Sequence, residues 1–487
     1  MTARRTALWT FVVTALALFM TSLDNLVVIT ALPVIKADLG ASLAQLEWTV
    51  NAYTLAFAVL LLTGAALGDR FGRKRVFLVG LTIFTGGSAA AALAPTGDLL
   101  VIARAIQGIG AAIVTPLTLT LLSAAVPPER RGLALGAWGG ISGLAIAIGP
   151  VVGGAIIQGL NWHWIFWLNV PLGVVVLVLA ALRLTESRGP VTRLDLPGLV
   201  LASSGLFALV WALIHGNGEG WTSAGILAAF AAAAVLLAGF VIRESRTSEP
   251  MLPLRFFESR QFATVNVVSF VMSFGIFGSI FLLAQFFQIV QGYTPLEAGL
   301  RTLPWTGMPI IVAPLAGLAL SRVGGRTLLA AGMALMGLGL AWIAAVATPT
   351  VEYSRLVPAF ILAGTGMSLF FAPTASLVLG AVRRAEEGQA SGANNAIREI
   401  GGVFGVAILA SVFSAAGGYA SPQAFVNGLV PAVWLGAAVL GIGTLVALAI
   451  PASRHVEIEI HAGTSGADAP ESHGGSGLTP EPVRIRS

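Results

Sequence analysis

Fourteen apolar stretches, each long enough to cross a bilayer, leave this chain few folds to choose from. They run over 8–33, 46–68, 76–95, 98–122, 134–158, 164–183, 195–214, 223–243, 262–289, 297–320, 327–347, 356–380, 390–415 and 429–450. Inside a bilayer the backbone has no water to bond, so runs of this length resolve into helices, and the chain reads as an all-α integral membrane protein. Of the 487 residues 56% are hydrophobic and only 10% are charged, too few to cover a soluble surface. The first run is long, carries Asp24 and lacks a small-residue cleavage site, so it reads as a retained span rather than a signal peptide.

The basic residues set the orientation. With the N-terminus in the cytoplasm, the inside loops collect Arg4, Arg5, Arg70, Arg73, Lys74, Arg75, Arg130, Arg131, Arg183, Arg188, Arg193, Arg243, Arg246, Arg255, Arg260, Arg322, Arg326, Arg383, Arg384 and Arg454. Only Lys36, Arg301 and Arg355 fall outside, which predicts that both termini are cytoplasmic. The net charge of +5 is then loop charge, and no basic, aromatic-interleaved surface is left to suggest nucleic acid. Lysine occurs only at Lys36 and Lys74, a bias resembling that of high-GC bacterial genomes, so a bacterial cytoplasmic membrane is expected. The absence of cysteine excludes disulfides and thiolate sites. His163, His215, His455, His461 and His473 show no metal-ligand spacing, so neither a metal nor an enzyme's catalytic constellation is expected.

The sequence also repeats itself. Ala65-x-Leu67-Gly68-Asp69-Arg70-x-Gly72-Arg73-Lys74 returns as Gly317-x-Ala319-Leu320-Ser321-Arg322-x-Gly324-Gly325-Arg326. At nearly the same offset Gly108-x-Gly110 returns as Gly364-x-Gly366, and Gly132-xxx-Gly136 as Gly388-xxx-Gly392. Two related six-helix halves follow, 1–190 and 261–452, with two inserted helices and a linker over 191–260. The Gly/Ser-rich stretch 453–487 reads as a disordered cytoplasmic tail.

Several side chains do not belong in lipid unless they have a role. Asp24 lies beyond the middle of the first run, where an ionised carboxylate costs roughly 2.5–3.5 kcal/mol. Arg104 enters the fourth helix from outside at a depth of about 9 Å, comparable to Asp24, so the two can offset each other's desolvation. A purely structural ion pair is the competing reading. Arg398-Glu399 sits within the thirteenth helix, where Glu399 is a functional candidate or half of a local pair. Asn51 and Tyr53 on helix 2, Gln107 on helix 4, Phe281, Gln285 and Gln288 on helix 9 and Asn395 on helix 13 are the candidate substrate contacts, although aromatics at helical spacing also serve as packing. Trp48, Trp162, Trp164 and Trp221 are expected in an interfacial belt.

Gly68-Asp69-Arg70-Phe71-Gly72-Arg73-Lys74-Arg75, a tight turn between helices 2 and 3, resembles the signature loop of the major facilitator superfamily, with Ala65 and Ser321 departing from the family pattern. The resemblance implies an ionic cytoplasmic gate through Asp69, Arg70, Gly72 and Arg73. Arg104-Ala105-Ile106-Gln107-Gly108-Ile109-Gly110-Ala111-Ala112 resembles the superfamily motif implicated in proton coupling. Gly149-Pro150-Val151-Val152-Gly153-Gly154 resembles its antiporter motif, with Ala145 in place of the usual preceding glycine. Leu23-Asp24-xx-Val27-Val28-xx-Ala31-Leu32-Pro33, Trp162-His163-Trp164-Ile165-Phe166-Trp167-Leu168-Asn169-Val170-Pro171-Leu172-Gly173 and Gly292-Tyr293-Thr294-Pro295-Leu296-Glu297-Ala298-Gly299-Leu300 resemble signatures of the fourteen-helix drug:proton antiporter family within it. That likeness implies a proton-coupled exporter of small lipophilic or cationic compounds that works by alternating access, with Asp24, Arg104 and Glu399 in proton coupling. The partners it implies are a small-molecule substrate, protons and the lipid bilayer; it implies no cofactor, and a functional monomer. The alternative cargo is one endogenous product such as an antibiotic, siderophore or lipid. A non-transporting receptor or an intramembrane enzyme is the reading from a different class.

Overall fold

The computed structural model describes residues 3–188, 195–248, 250–383 and 386–451; Arg193, Arg384 and the tail 453–487 lie outside them. The described residues wind into fourteen long helices: α1 (Ala3–Leu39), α2 (Leu43–Phe71), α3 (Arg73–Ala92), α4 (Gly97–Ala125), α5 (Pro128–Gly159), α6 (Trp164–Arg183), α7 (Leu196–Glu219), α8 (Ala224–Arg246), α9 (Arg260–Val290), α10 (Pro295–Leu320), α11 (Gly325–Val346), α12 (Tyr353–Gly380), α13 (Glu387–Ala416) and α14 (Pro422–Leu448). Each matches one apolar stretch in the expected order, and the fold is an all-helical, multi-pass membrane architecture. Successive helices run in opposite directions, so the turns divide between a basic end, which holds the α2–α3 turn, and a far end, which holds the α1–α2 turn.

Lipid satisfies no backbone groups, so helix ends depend on caps. At the far end Ser42 and Gln45 form a reciprocal capping box on α2 (3.2 and 3.0 Å), and Thr294 with Glu297 forms another on α10 (3.3 and 3.0 Å). At the basic end α2 turns into α3 through Gly72 at φ +107°, and α10 turns into α11 through Gly324 at φ +83°. A left-handed backbone carries no Cβ without strain, so both copies of the repeated loop need glycine at this point. Replacing Gly72 with alanine is expected to lower detergent-solubilised stability by about 1–2 kcal/mol, read from thermal unfolding.

Small residues bring the helices into close contact. A side chain at Gly108 would strike the backbone of Tyr53 on α2, and one at Gly110 would strike Phe84 on α3, so α4 is wedged between the two. The repeated pair behaves alike: Gly364 meets Trp305 of α10, and Gly366 meets Gly332 and Met336 of α11. Helices α1 to α6 pack mainly on one another, and so do α9 to α14; α2 meets α13 and α5 meets α10 across the seam between these groups. Helix α7 lies against α2 and α13, and α8 lies against α7. A groove of about 950 Å³ runs between α7 and the α2–α4 face, lined by Trp48, Leu55, Ile102, Phe207 and Trp211.

The prolines of α10 leave their mark. The helix is interrupted at Thr302 and again at Gly307, beside Pro304 and Pro309, which cannot donate a helical hydrogen bond. One tryptophan departs from expectation. Trp162 is only 1% exposed and donates its indole N–H to Asp38 at 2.8 Å, so it is a core residue rather than part of the belt. Trp164 and Trp221 are exposed, at 47% and 42%, as an interfacial position requires.

Candidate functional site

Asp24 sits midway along the 37-residue α1 and is 3% exposed. Arg104, on α4, is fully buried and reaches it through Nη1 at 2.5 Å. Two uncharged donors complete the carboxylate: the Asn169 side-chain amide of α6 donates to Oδ1 at 2.7 Å, and that of Gln107 donates to the same oxygen at 3.3 Å. Gln107 also accepts from Arg104 at 2.9 Å and donates to Ser88 of α3 at 2.6 Å. Four of the first six helices, α1, α3, α4 and α6, therefore meet around one carboxylate. A buried charge pair is tolerated when its remaining donors and acceptors are met, and here they are.

Arg104 has a second set of partners. Its Nε donates to the Thr49 carbonyl of α2 at 3.1 Å, and its guanidinium lies 4.2 Å from the centre of the Tyr53 ring. The Tyr53 hydroxyl in turn donates to the Thr21 carbonyl at 3.3 Å. The arginine is thus held in place by groups other than Asp24.

The structure brings Asp24 and Arg104 together as their depths predict. It adds Asn169 and Ser88, which no charge or hydropathy signal singles out; Asn169 falls inside the Trp162 to Gly173 signature, which is the only pointer to it. Removing the amide with Asn169→Ala takes a hydrogen bond from a buried carboxylate and is expected to cost about 1.5–3 kcal/mol in thermal unfolding.

At the basic end Asp69 accepts from Arg73 one turn away, at 2.8 Å, so the Asp69 ion pair is made within the loop. Arg70 stacks over Phe71 at 5.3 Å. Glu186, beyond α6, accepts from the backbone N–H groups of Lys74 (2.9 Å) and Arg75 (3.2 Å), a carboxylate at the positive N-terminus of α3. On α5, side chains at Gly149 and Gly153 would press on Leu26 and Val27 of α1. Gly154 instead faces the backbone of Pro295 and Leu296, and Gly299 faces that of Pro150, so α5 and α10 touch main chain to main chain at the far end. Beside this contact a cavity of about 40 Å³ is lined by Leu26, Thr30, Pro150, Gln288, Trp305 and Phe360.

Comparison with known proteins places this architecture. The model of the Major Facilitator Superfamily matches residues 14–406. The chain belongs to the major facilitator superfamily. It is 35% identical to the tetracenomycin C resistance and export protein of Streptomyces glaucescens, over 87% of this chain and 79% of that one. It is 37% identical to the multidrug resistance protein Stp of Mycobacterium tuberculosis strain H37Rv, over 84% of this chain and 76% of the relative. A probable actinorhodin transporter of Streptomyces coelicolor is 36% identical over 80% of this chain and 70% of its own. Among solved structures, a bacterial homolog of the human lysosomal transporter Spinster, inward-facing and unoccupied, superposes with a TM-score of 0.66 at 16% identity, covering 91% of this chain and 97% of that one. The last shares the fold; the first three share sequence as well.

Within this superfamily fold the other sequence-derived positions scatter. Tyr53 and Gln107 belong to the Asp24 cluster. Asn51 is fully buried on α2. Phe281 and Gln285 are buried on α9, and Gln285 accepts from Tyr419 at 2.5 Å. Gln288 donates across the seam to the Thr30 carbonyl of α1 at 2.8 Å. Asn395 is half-buried on α13, whereas its neighbour Asn394 bonds to Asn266 and Ser269 of α9 at 3.1 and 2.8 Å. Glu399 accepts from adjacent Arg398 at 3.1 Å, and its charge lies within reach of Tyr53 in the Asp24 cluster.

Proposed function

We propose that this superfamily member is a proton-coupled antiporter that exports small lipophilic or cationic compounds across a bacterial cytoplasmic membrane. The observation that carries the reading is the buried Asp24 carboxylate, held between Arg104, Gln107 and Asn169, with an arginine that keeps partners of its own. Both termini lie in the cytoplasm, as the basic end implies, and the far end faces the exterior. The helices α1 to α6 and α9 to α14 form two halves that rock about the substrate, with α7 and α8 as an accessory pair. The protein works as a monomer and draws its energy from the proton gradient, without a cofactor.

In the outward-open state Asp24 takes a proton from the exterior, and the cationic or lipophilic cargo leaves. The neutral acid no longer binds Arg104 as an ion pair, so the arginine rests on Thr49, Gln107 and the Tyr53 ring. The halves then close outside and open inside, the proton departs, and the restored ion pair awaits new cargo. Asp69 and Arg73 belong to the gate at the cytoplasmic end. Glu399 contributes a second charge on α13, and Asn51, Phe281, Gln285, Gln288 and Asn395 meet the cargo as the seam opens.

The relatives named for tetracenomycin C and actinorhodin favour a second reading, a dedicated exporter of one natural product. Reconstitution into liposomes separates the two. A pH gradient is expected to drive a fluorescent cationic dye, and a protonophore to stop it. Movement of an aromatic natural product without any movement of the dye would establish the dedicated exporter instead.

A further inference from the structure

The seam between α2 and α13 holds a carboxylate that the Asp24 cluster does not use. Glu47 is 2% exposed, and its Oε2 has no hydrogen-bond partner among the described residues. One turn on, Asn51 is fully buried with both amide atoms unpartnered. Positions 47, 51 and 62 share one stripe of α2, because separations of 4 and 11 residues close on nearly whole turns. Farther along α2, Leu62 packs against Gly392 of α13, and the two helices lie together across the seam.

Among the described residues, the charged and titratable groups on the elements packed around Glu47 make no ion pair or hydrogen bond with it. Lys36 of α1 sits 2.8 Å from the centre of the Tyr419 ring, and Tyr419, in the α13–α14 turn, donates to Gln285. On α4, Asp98 accepts from Gln45 and Arg104 holds Asp24. On α7, His215 contacts the Trp211 carbonyl, and on α13 Glu399 pairs with Arg398. Burial pushes the Tyr419 hydroxyl up, an ionised Glu47 would push it further, and the Gln285 hydrogen bond offsets part of this.

We propose that Glu47 is a second proton-binding site, at the far-end gate: the closed seam accepts it only as the neutral acid, and the opened seam releases its proton to the aqueous phase. Among the described residues the closed seam gives a buried carboxylate no counter-charge and leaves Oε2 without a partner, so ionisation and closure oppose each other. Proton binding therefore favours far-end closure, and rising pH favours opening. The direction rests on the antiport reading above, in which a proton taken from outside shuts the outside.

The chain has no native cysteine, so spin labels can be placed without background. Ala37→Cys on α1 and Gln423→Cys on α14 label exposed positions at the far end. In nanodiscs without substrate, the distance between labels is expected to shorten as pH falls. Glu47→Gln holds the short distance at every pH, Glu47→Asp keeps a pH-dependent change, and Asp24→Asn leaves that change in place. A wild-type distance independent of pH overturns the site, as does a Glu47→Gln protein that keeps the wild-type response. Thermal unfolding shows that each variant is folded, and Glu47→Met provides a second neutral side chain if the glutamine variant is not. Dye export failing while the pH response persists counts against the antiport reading alone; the reverse counts against Glu47 alone.

Discussion

Asp24→Asn is expected to reduce pH-gradient-driven dye transport to the level of empty liposomes. The asparagine keeps the shape of the carboxylate and an oxygen for Asn169, but it carries neither charge nor a titratable proton. It also leaves Arg104 buried without a counter-charge, which costs about 3–5 kcal/mol, part of it recovered through Thr49 and the Tyr53 ring. The two effects separate in a double variant. Asp24→Asn combined with Arg104→Gln removes the stranded cation, so thermal stability should return most of the way to wild type while transport stays absent. Transport restored together with stability would mean that the pair only holds α1 to α4, which is the structural reading of the same geometry.

The second large effect belongs to the far-end contact of α5 with α10. Gly154→Leu places a side chain against the backbone of Pro295 and Leu296, which cannot rotate away as a side chain would. Overpacking of this kind costs about 1–3 kcal/mol, and it is charged only to conformations in which the two helices touch. At roughly 1.4 kcal/mol per tenfold, the closed far end should lose about tenfold or more in population, and transport should fall with it. Gly159, at the end of the same helix, has open space around it, so Gly159→Leu should transport as wild type. Equal losses in both variants would remove the special status of Gly154.

Much of the site is legible in the sequence. Asp24 and Arg104 announce themselves because charge in lipid is costly, and a comparable depth on two helices brings them within reach. Asn169 and Ser88 carry no such signal: polar and uncharged, they are tolerated in many membrane helices, and only the approach of α3 and α6 to α1 and α4 gives them a partner. Asp69 illustrates the reverse. Its place in a basic turn was evident, but its pairing with Arg73 one turn along, rather than with another helix, depends on side-chain geometry that the spacing leaves open. Trp162 lies in the core rather than the belt for a related reason: an indole near a helix end suits either an interface or a core, and Asp38 decides it.

The number of spans, their order and the basic asymmetry of the loops are legible in the residues alone, because each depends on local quantities: the length of an apolar run and the cost of a charge in lipid. Tertiary structure alone decided which polar groups meet. Gln107 completes Asp24 rather than facing a cavity, Gly154 meets main chain while Gly159 meets nothing, and Glu47 is left without a partner for Oε2 in a seam between α2 and α13. Those outcomes depend on how helices far apart in sequence rotate and approach, and no run of residues along one helix specifies the face of another.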